Sequence, residues 1–262
     1  YLLNVFDAIK LFVEKRVTHR DIKCENIVFD FEKKKIKIID FGIMNTFLNL
    51  ITKAKKSTCD YDIIHWSVAP YSIFINKNVF QYYQNNYMSP KDFNDFINKT
   101  EISSGKQMDH FYKKITINNL NSKQSIRKKL NNELYNTISK LNTITHENFL
   151  EKVFSLLDVH GLGIALLTIL GNSKSTLKNK DLVKELNELG INMISFDVFN
   201  HITIHSALDK YKNILRKYKL PEKYNYKIEN NYIVSKKSNV EVINISNKRE
   251  KSVKSIMKKL QT

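Results

Sequence analysis

Two polar clusters, His19-Arg20-Asp21-Ile22-Lys23-Cys24-Glu25-Asn26 and Asp40-Phe41-Gly42, are parted by two short apolar runs. This arrangement limits the fold more than anything else in the sequence. Ile27, Val28 and Phe29 lead into the charged residues 30–35, after which Ile36, Ile38 and Ile39 alternate with Lys35 and Lys37. Runs this short, rich in β-branched side chains and joined by a polar turn, predict two strands. Residues 1–15 hold neither Gly nor Pro and repeat apolar side chains at three and four, which predicts a buried helix.

The rest of the chain predicts helices. Residues 45–68 are polar and without a sustained period, so a long loop is expected there. Ser89-Pro90 is an N-cap and first helical position for a helix over 92–97. Ile126, Leu130, Leu134, Ile138 and Leu141 fall on one face of a helix from about residue 125. Residues 149–170 are the most apolar stretch and predict a core helix, while 206–218 predict another that stops near Pro221. The longest apolar run, about 162–170, is too short to span a membrane. Beyond Pro221 the apolar content falls, and a basic tail carries Lys248, Arg249, Lys251, Lys254, Lys258 and Lys259.

The string from His19 to Asn26, with Asp40-Phe41-Gly42 after two short strands, resembles the catalytic and metal-binding loops of eukaryotic-type protein kinases. The resemblance implies a mainly α fold with a small β-hairpin region, the C-terminal lobe of a kinase. It places the lobe at 1–220, the catalytic loop at 19–26 and the Asp-Phe-Gly motif at 40–42. A family-specific insertion would occupy about 80–146, the central helix would start at 158, and 221–262 would be the tail. The family's glycine-rich loop, strand lysine and helix glutamate would lie ahead of Tyr1, so this N-lobe counts as a missing partner and the fragment alone is expected to be inactive. The 6 glycines of the sequence are scattered.

The implied chemistry is transfer of the ATP γ-phosphate to a Ser or Thr hydroxyl, in which the protein mostly positions groups and neutralises charge. Asp21 would be the base, and Lys23 would offset phosphate charge. Asn26 and Asp40 would supply hard oxygen ligands to Mg2+, with Mn2+ as a substitute. Val28 and Ile39 would floor the nucleotide site, and Phe41 would pack under His19. Lys two residues after the base follows the Ser/Thr pattern. Arg20 would grip a phosphate in the activation loop, where Thr52, Ser57 and Thr58 are the phosphorylation candidates. Leu157-Asp158-Val159-His160-Gly161 resembles the start of the family's central helix, with Asp158 accepting backbone hydrogen bonds from the catalytic loop at a helix N-terminus.

Two departures stand out. Tyr71 follows Ala69-Pro70 where the family has Glu, and His201 stands at the best match to that Glu's buried Arg partner. Replacing both halves of a buried ion pair can be near neutral, whereas replacing one is costly. The insertion carries two or more helices, and a contact with substrate or partner and a neutral surface decoration remain equal readings. A pseudokinase-like binding scaffold is the alternative to an enzyme, although intact Asp21, Lys23, Asn26 and Asp40 favour the enzyme.

The remaining expectations come from composition. Lys and Arg number 43 against 26 Asp and Glu, a formal charge of +17. Such a balance suits acidic peptides, nucleic acid or anionic membrane, but the basic residues are spread rather than gathered on a stripe. Cys24 and Cys59, far apart, make neither a zinc site nor a disulfide framework. They suit a reducing, intracellular and cytoplasmic setting. The Lys-, Asn- and Ile-rich composition is what an AT-rich genome encodes, and the loose pattern is similar to that of kinases from large DNA viruses or protists.

Overall fold

A computed structural model describes residues 2–30, 35–56, 67–93, 95, 106–116, 120, 122–173, 176–220, 226–229 and 232–235. Helix α1 (Leu3–Glu14) buries Leu3, Val5, Phe6, Ile9 and Phe12, and Arg16, at φ 54°, turns the chain out of it. Four short strands follow, β1 (Val17–Thr18), β2 (Ile27–Asp30), β3 (Lys35–Ile38) and β4 (Asn45–Thr46). β2 pairs antiparallel with β3, Ile27 opposite Ile38, and β1 pairs antiparallel with β4, Val17 opposite Thr46. These two ladders fix the ends of both polar clusters. Residues 19–26 leave β1 and enter β2, residues 39–44 leave β3 and enter β4, and the clusters are therefore held side by side.

The long loop expected over 45–68 is in part a helix, α2 (Phe47–Lys55). Thr46 caps it, accepting the Asn49 N–H at 3.2 Å. Phe47, Leu50, Ile51 and Ala54 form a buried stripe at helical spacing. The lysines and asparagines between them hide that stripe in a simple count of polar residues. Lys55 pairs with Glu147 at 2.7 Å and Arg16 with Glu151, while the Arg16 guanidinium lies over the Phe47 ring at 5.6 Å. Such exposed pairs add about 0–1 kcal/mol each, so the apolar stripe holds α2 in place.

A 3-10 turn (Pro70–Ile75) buries Tyr71, Phe74 and Ile75. Helix α3 (Lys77–Asn85) follows. At Ser89 the hydroxyl accepts the Asp92 N–H at 3.2 Å and Asp92 Oδ2 accepts the Ser89 N–H at 3.3 Å, a capping box. The end of the helix expected over 92–97 lies outside the described residues. Then come α4 (Lys106–Ile115), α5 (Lys123–Ser139), α6 (His146–Asn172) and α7 (Lys180–Met193), the last not anticipated from sequence. The predicted face of α5 is buried at Ile126, Leu130, Leu134 and Ile138, with Leu141 just beyond.

Helix α6 begins at His146, capped by Thr145, and not at 158. It is apolar all round and long enough to cross a membrane by composition. However, 89% of its most apolar 18-residue window is buried, so it serves as the core helix. α6 and α7 approach through two glycines. A Cβ on Gly163 would stand 2.8 Å from Met193 Cβ, and one on Gly190 would stand 2.7 Å from Leu167 Cγ.

The described residues of the 80–146 segment contribute to the core. Phe80, Phe93, Phe111, Tyr112, Leu130 and Leu134 share one buried cluster with Tyr71, Phe74, Phe149 and Phe196. Thr137 Oγ1 donates to the Phe196 carbonyl at 2.8 Å and accepts the Val198 N–H at 2.9 Å. Glu133 accepts from the Ser195 hydroxyl at 2.9 Å and the Phe196 N–H at 3.0 Å. Leu130→Ala is therefore expected to lower stability by about 2–5 kcal/mol, measured by urea unfolding. A loss under about 0.5 kcal/mol, the value for a surface change, would mean the segment is decoration.

The chain divides into two compact units, Tyr1–Leu208 and Asp209–Thr262. The division falls within α8 (Ile204–Lys217), earlier than the boundary drawn at 220. The second unit holds an antiparallel hairpin of β5 (Tyr226–Glu229) and β6 (Tyr232–Ser235), Tyr226 opposite Ser235. The β-prone Tyr, Ile and Val residues on either side of Asn230-Asn231 account for it. The basic residues from Lys248 to Lys259 lie outside the described residues.

Candidate active site

The catalytic-loop backbone rests on α6. Asp158, almost fully buried, accepts the His19 N–H through Oδ2 at 2.7 Å and the Arg20 N–H through Oδ1 at 2.8 Å. Burial pushes its carboxyl above the usual range, and the His19 and Arg20 amides pull the other way. The expected helix-terminus setting does not hold, since Asp158 lies in the middle of α6 and the two amides supply the stabilisation instead. Three residues on, a Cβ at Gly161 would stand 2.3 Å from the Ile22 carbonyl oxygen. Only glycine lets the loop lie this close.

On this platform the side chains converge. Lys23 Nζ donates to Asp21 Oδ2 at 2.7 Å. Asn26 Nδ2 donates to the same oxygen at 2.9 Å and to the Asp21 carbonyl at 2.8 Å. The 3-10 turn Cys24–Asn26 joins these groups, and the Asn26 carbonyl accepts the Ile39 N–H at 3.0 Å, tying the first cluster to the second. The His19 ring bridges them again. Its Nε2–H donates to the Ile39 carbonyl at 3.0 Å, and its Nδ1 accepts the Asp21 N–H at 3.4 Å, which fixes the tautomer. Phe41 lies edge-on to that ring, centroids 5.1 Å apart.

Arg20 and Asp40 both take left-handed backbone, at φ 72° and 61°. Each stores roughly 1–2 kcal/mol, so both turns are imposed by their surroundings. Arg20 Nη1 donates to the Ile43 carbonyl at 3.3 Å, steadying the segment after Gly42. Gly42 keeps Asp40 Oδ1 at ordinary contact distance, 3.5 Å from where a Cβ would be. Val28 is half-buried opposite Lys37, and Ile39 is exposed. Thr52 is on α2 rather than in a loop, with its hydroxyl donating to the Leu48 carbonyl at 2.9 Å. Ser57 and Thr58 lie outside the described residues.

Tyr71 and His201 do meet, edge to face at 6.4 Å, and among the described residues the Tyr71 hydroxyl has no hydrogen-bond partner. They pack and do not bond. The pair has a third member that sequence reasoning missed, His160, 6.4 Å from Tyr71 and stacked on Phe111 at 6.0 Å. Among the described residues neither ring nitrogen of His160 has a hydrogen-bond partner. Burial, then His201, pushes its pKa down to about 3. Burial pushes His201 down to about 4, against a Nδ1 hydrogen bond to the Ile202 carbonyl and the charges of Glu133 and Asp197. A second polar residue, two after Asp158 in the otherwise apolar run before Gly161, was the available signal. The cluster is held by ring packing.

The sequence model of the protein kinase domain matches residues 1–210. The chain belongs to the protein kinase domain family. A search of curated proteins and one of solved structures each returned no match. Family membership makes the activity that of a kinase, a transferase, in general terms.

The residues of this kinase chain fit a hard divalent cation. Asn26 spends its side-chain nitrogen on Asp21, which leaves its side-chain oxygen Oδ1 for a ligand, and Asp40 is exposed. Among the described residues no group of three His, Cys, Asp or Glu could form an all-protein cage. A site with few protein oxygens, completed by phosphate and water, is the pattern of Mg2+ rather than Zn2+.

Proposed function

We propose that this chain transfers the γ-phosphate of ATP to Ser or Thr hydroxyls of a protein substrate, with Asp21 as the base. The observation that carries the proposal is the Asp21 carboxylate, aimed by Lys23 and Asn26 from one rigid turn. As the hydroxyl oxygen attacks the γ-phosphorus and the bond to the ADP oxygen breaks, Asp21 Oδ accepts the hydroxyl proton. Lys23, within reach of both Asp21 and the transferring group, offsets phosphate charge. Mg2+ or Mn2+, held by Asn26 and Asp40, supplies further charge neutralisation when bound. Val28 and Ile39 form the floor of the nucleotide site. The Ser/Thr assignment rests on Lys23 two residues after the base.

The test is phosphate incorporation from MgATP into a protein substrate. It is run with this chain and with the full product of its gene, since the sequence contains no glycine-rich phosphate loop. Asp21→Asn is expected to lower the rate by about 10²–10⁴-fold, the worth of a positioned general base. Incorporation that survives Asp21→Asn unchanged would remove Asp21 from its role. No incorporation by either protein, with nucleotide still bound, would favour the binding-scaffold alternative.

A further inference from the structure

The 80–146 segment shapes a cleft that phosphate transfer leaves unused. It lies between the C-terminal end of α3 and the helical turn that follows Ser89, with a volume of about 360 Å³. Tyr82, Tyr83, Tyr87 and Met88 line it, together with Asp92 and Asp95. Both walls are fastened to the core. On α3, Phe80 is fully buried and the Tyr83 ring stands edge-on to Phe74 at 5.6 Å. On the other side Phe93 is buried and meets Tyr135 of α5 edge-on at 5.2 Å, while the Tyr135 hydroxyl donates to the Met88 carbonyl at 3.3 Å. A site held by its own packing loses little binding energy to being ordered.

The lining selects a cation. Tyr82 and Tyr83 stand perpendicular, centroids 5.0 Å apart and planes at 89°, so they offer ring surface in two directions. Aromatic faces carry negative potential and attract positive charge. Hydrogen bonds with Ser89 hold the Asp92 carboxyl below the usual range, so it is ionised at neutral pH. Lys91 acts on Asp92 more weakly than those bonds, and among the described residues neither Asp92 nor Asp95 forms an ion pair. The lining holds two carboxylates and, among the described residues, no Lys or Arg. It is an acidic spot on a chain of formal charge +17, and screening beyond about 8 Å leaves the nearest groups in control.

The exposure of the rings narrows the occupant further. Tyr82 is 61% exposed and Tyr87 83%, too open to enclose a free small molecule as ligand pockets do. A side chain carried on a passing backbone needs no such enclosure. Among cationic side chains the planar guanidinium of Arg fits best, because it stacks on a ring and donates to a carboxylate at once. We propose that this cleft docks an arginine side chain of a protein partner, held on the Tyr82 and Tyr87 rings with Asp95 as its counter-charge. Such docking serves an enzyme and a binding scaffold alike, so it stands or falls apart from phosphate transfer.

The test uses the whole chain with isotope-labelled methionine methyls, followed by NMR. Of the 5 methionines Met88 lines the cleft, and Met88→Leu assigns its signal. The probes are a Gly-Ser peptide with one central Arg and the same peptide with citrulline, its uncharged isostere. The Arg peptide is expected to shift the Met88 methyl saturably and to bind about 3- to 10-fold tighter than the citrulline peptide, with the gap narrowing in salt. Asp95→Asn should weaken the Arg peptide by about 2- to 5-fold. Tyr82→Leu should weaken it by about 2- to 5-fold, whereas Tyr82→Phe, which keeps the ring, should not. Both positions are exposed, and unchanged signals from the other methyls show that the variants fold. A Met88 methyl that does not move, equal binding of the two peptides, or Tyr82→Leu binding like the wild type overturns the proposal. Methylguanidine alone binding as tightly as the Arg peptide also overturns it, since the cleft would then take a free cation.

Discussion

Acidified from pH 7 to pH 4, the chain is expected to lose on the order of 5 kcal/mol of stability, a large part of the 5–15 kcal/mol typical of a domain. The loss comes from His160 and His201, both buried and neutral, with pKa values pushed down to about 3 and about 4 from 6.5. Their folded values lie below the unfolded value, so the neutral-pH stability is whole above about 6.5. Below that the unfolded chain binds protons the folded chain refuses, at roughly 1.4 kcal/mol per pH unit for each group. The decline ends only once pH falls through the folded values. His146, half-buried and also pushed down by burial, adds to the same slope. Urea midpoints measured by far-UV circular dichroism between pH 7 and 4 would show the decline. His160→Leu, close in volume and titrating nothing, should remove about half of it and forfeit no protein hydrogen bond. A wild-type midpoint flat over this range would mean that these rings are not neutral and enclosed.

Asp158→Ala is expected to cost about 2–6 kcal/mol and to free the catalytic loop. Two amides, that of His19 buried and that of Arg20 partly buried, would lose their acceptor. Each such orphan costs roughly 1–3 kcal/mol. Asp158→Asn keeps one carbonyl oxygen and should fall between the wild type and Asp158→Ala. The specific readout is amide hydrogen exchange, with protection of His19 and Arg20 lost while that of α6 remains. Gly161→Ala attacks the same contact sterically, because its Cβ would need the space of the Ile22 carbonyl, and should cost about 1–3 kcal/mol or more. If Asp158→Ala leaves exchange at His19 and Arg20 unchanged, Asp158 is not what holds the loop.

The sequence was most informative where neighbouring residues do the work. The polar clusters and the strands between them span fewer than thirty residues, so alternation predicts the hairpin, and the resemblance carried by the clusters groups Asp21, Lys23 and Asn26. The face of α5 was legible because its apolar residues recur at helical spacing. α2 was not, since its stripe of Phe47, Leu50, Ile51 and Ala54 is crowded by lysines and its burial depends on α6. The start of α6 was misplaced for a related reason: Asp158 looks like a cap when read locally. Its partners are 138 and 139 residues away, and they let a carboxylate sit mid-helix.

What the sequence by itself determined is the order of Asp21, Lys23, Asn26 and Asp40 around a hairpin, on which the proposed chemistry rests. Local covalent spacing is enough for that. Only the tertiary structure decided what holds the loop and what borders it. The Asp158 carboxylate, the bare backbone of Gly161, and the neutral rings of Tyr71, His160 and His201 are joined by packing across large sequence separations. No period or motif encodes such contacts, because they exist only once the apolar faces of the helices have found each other.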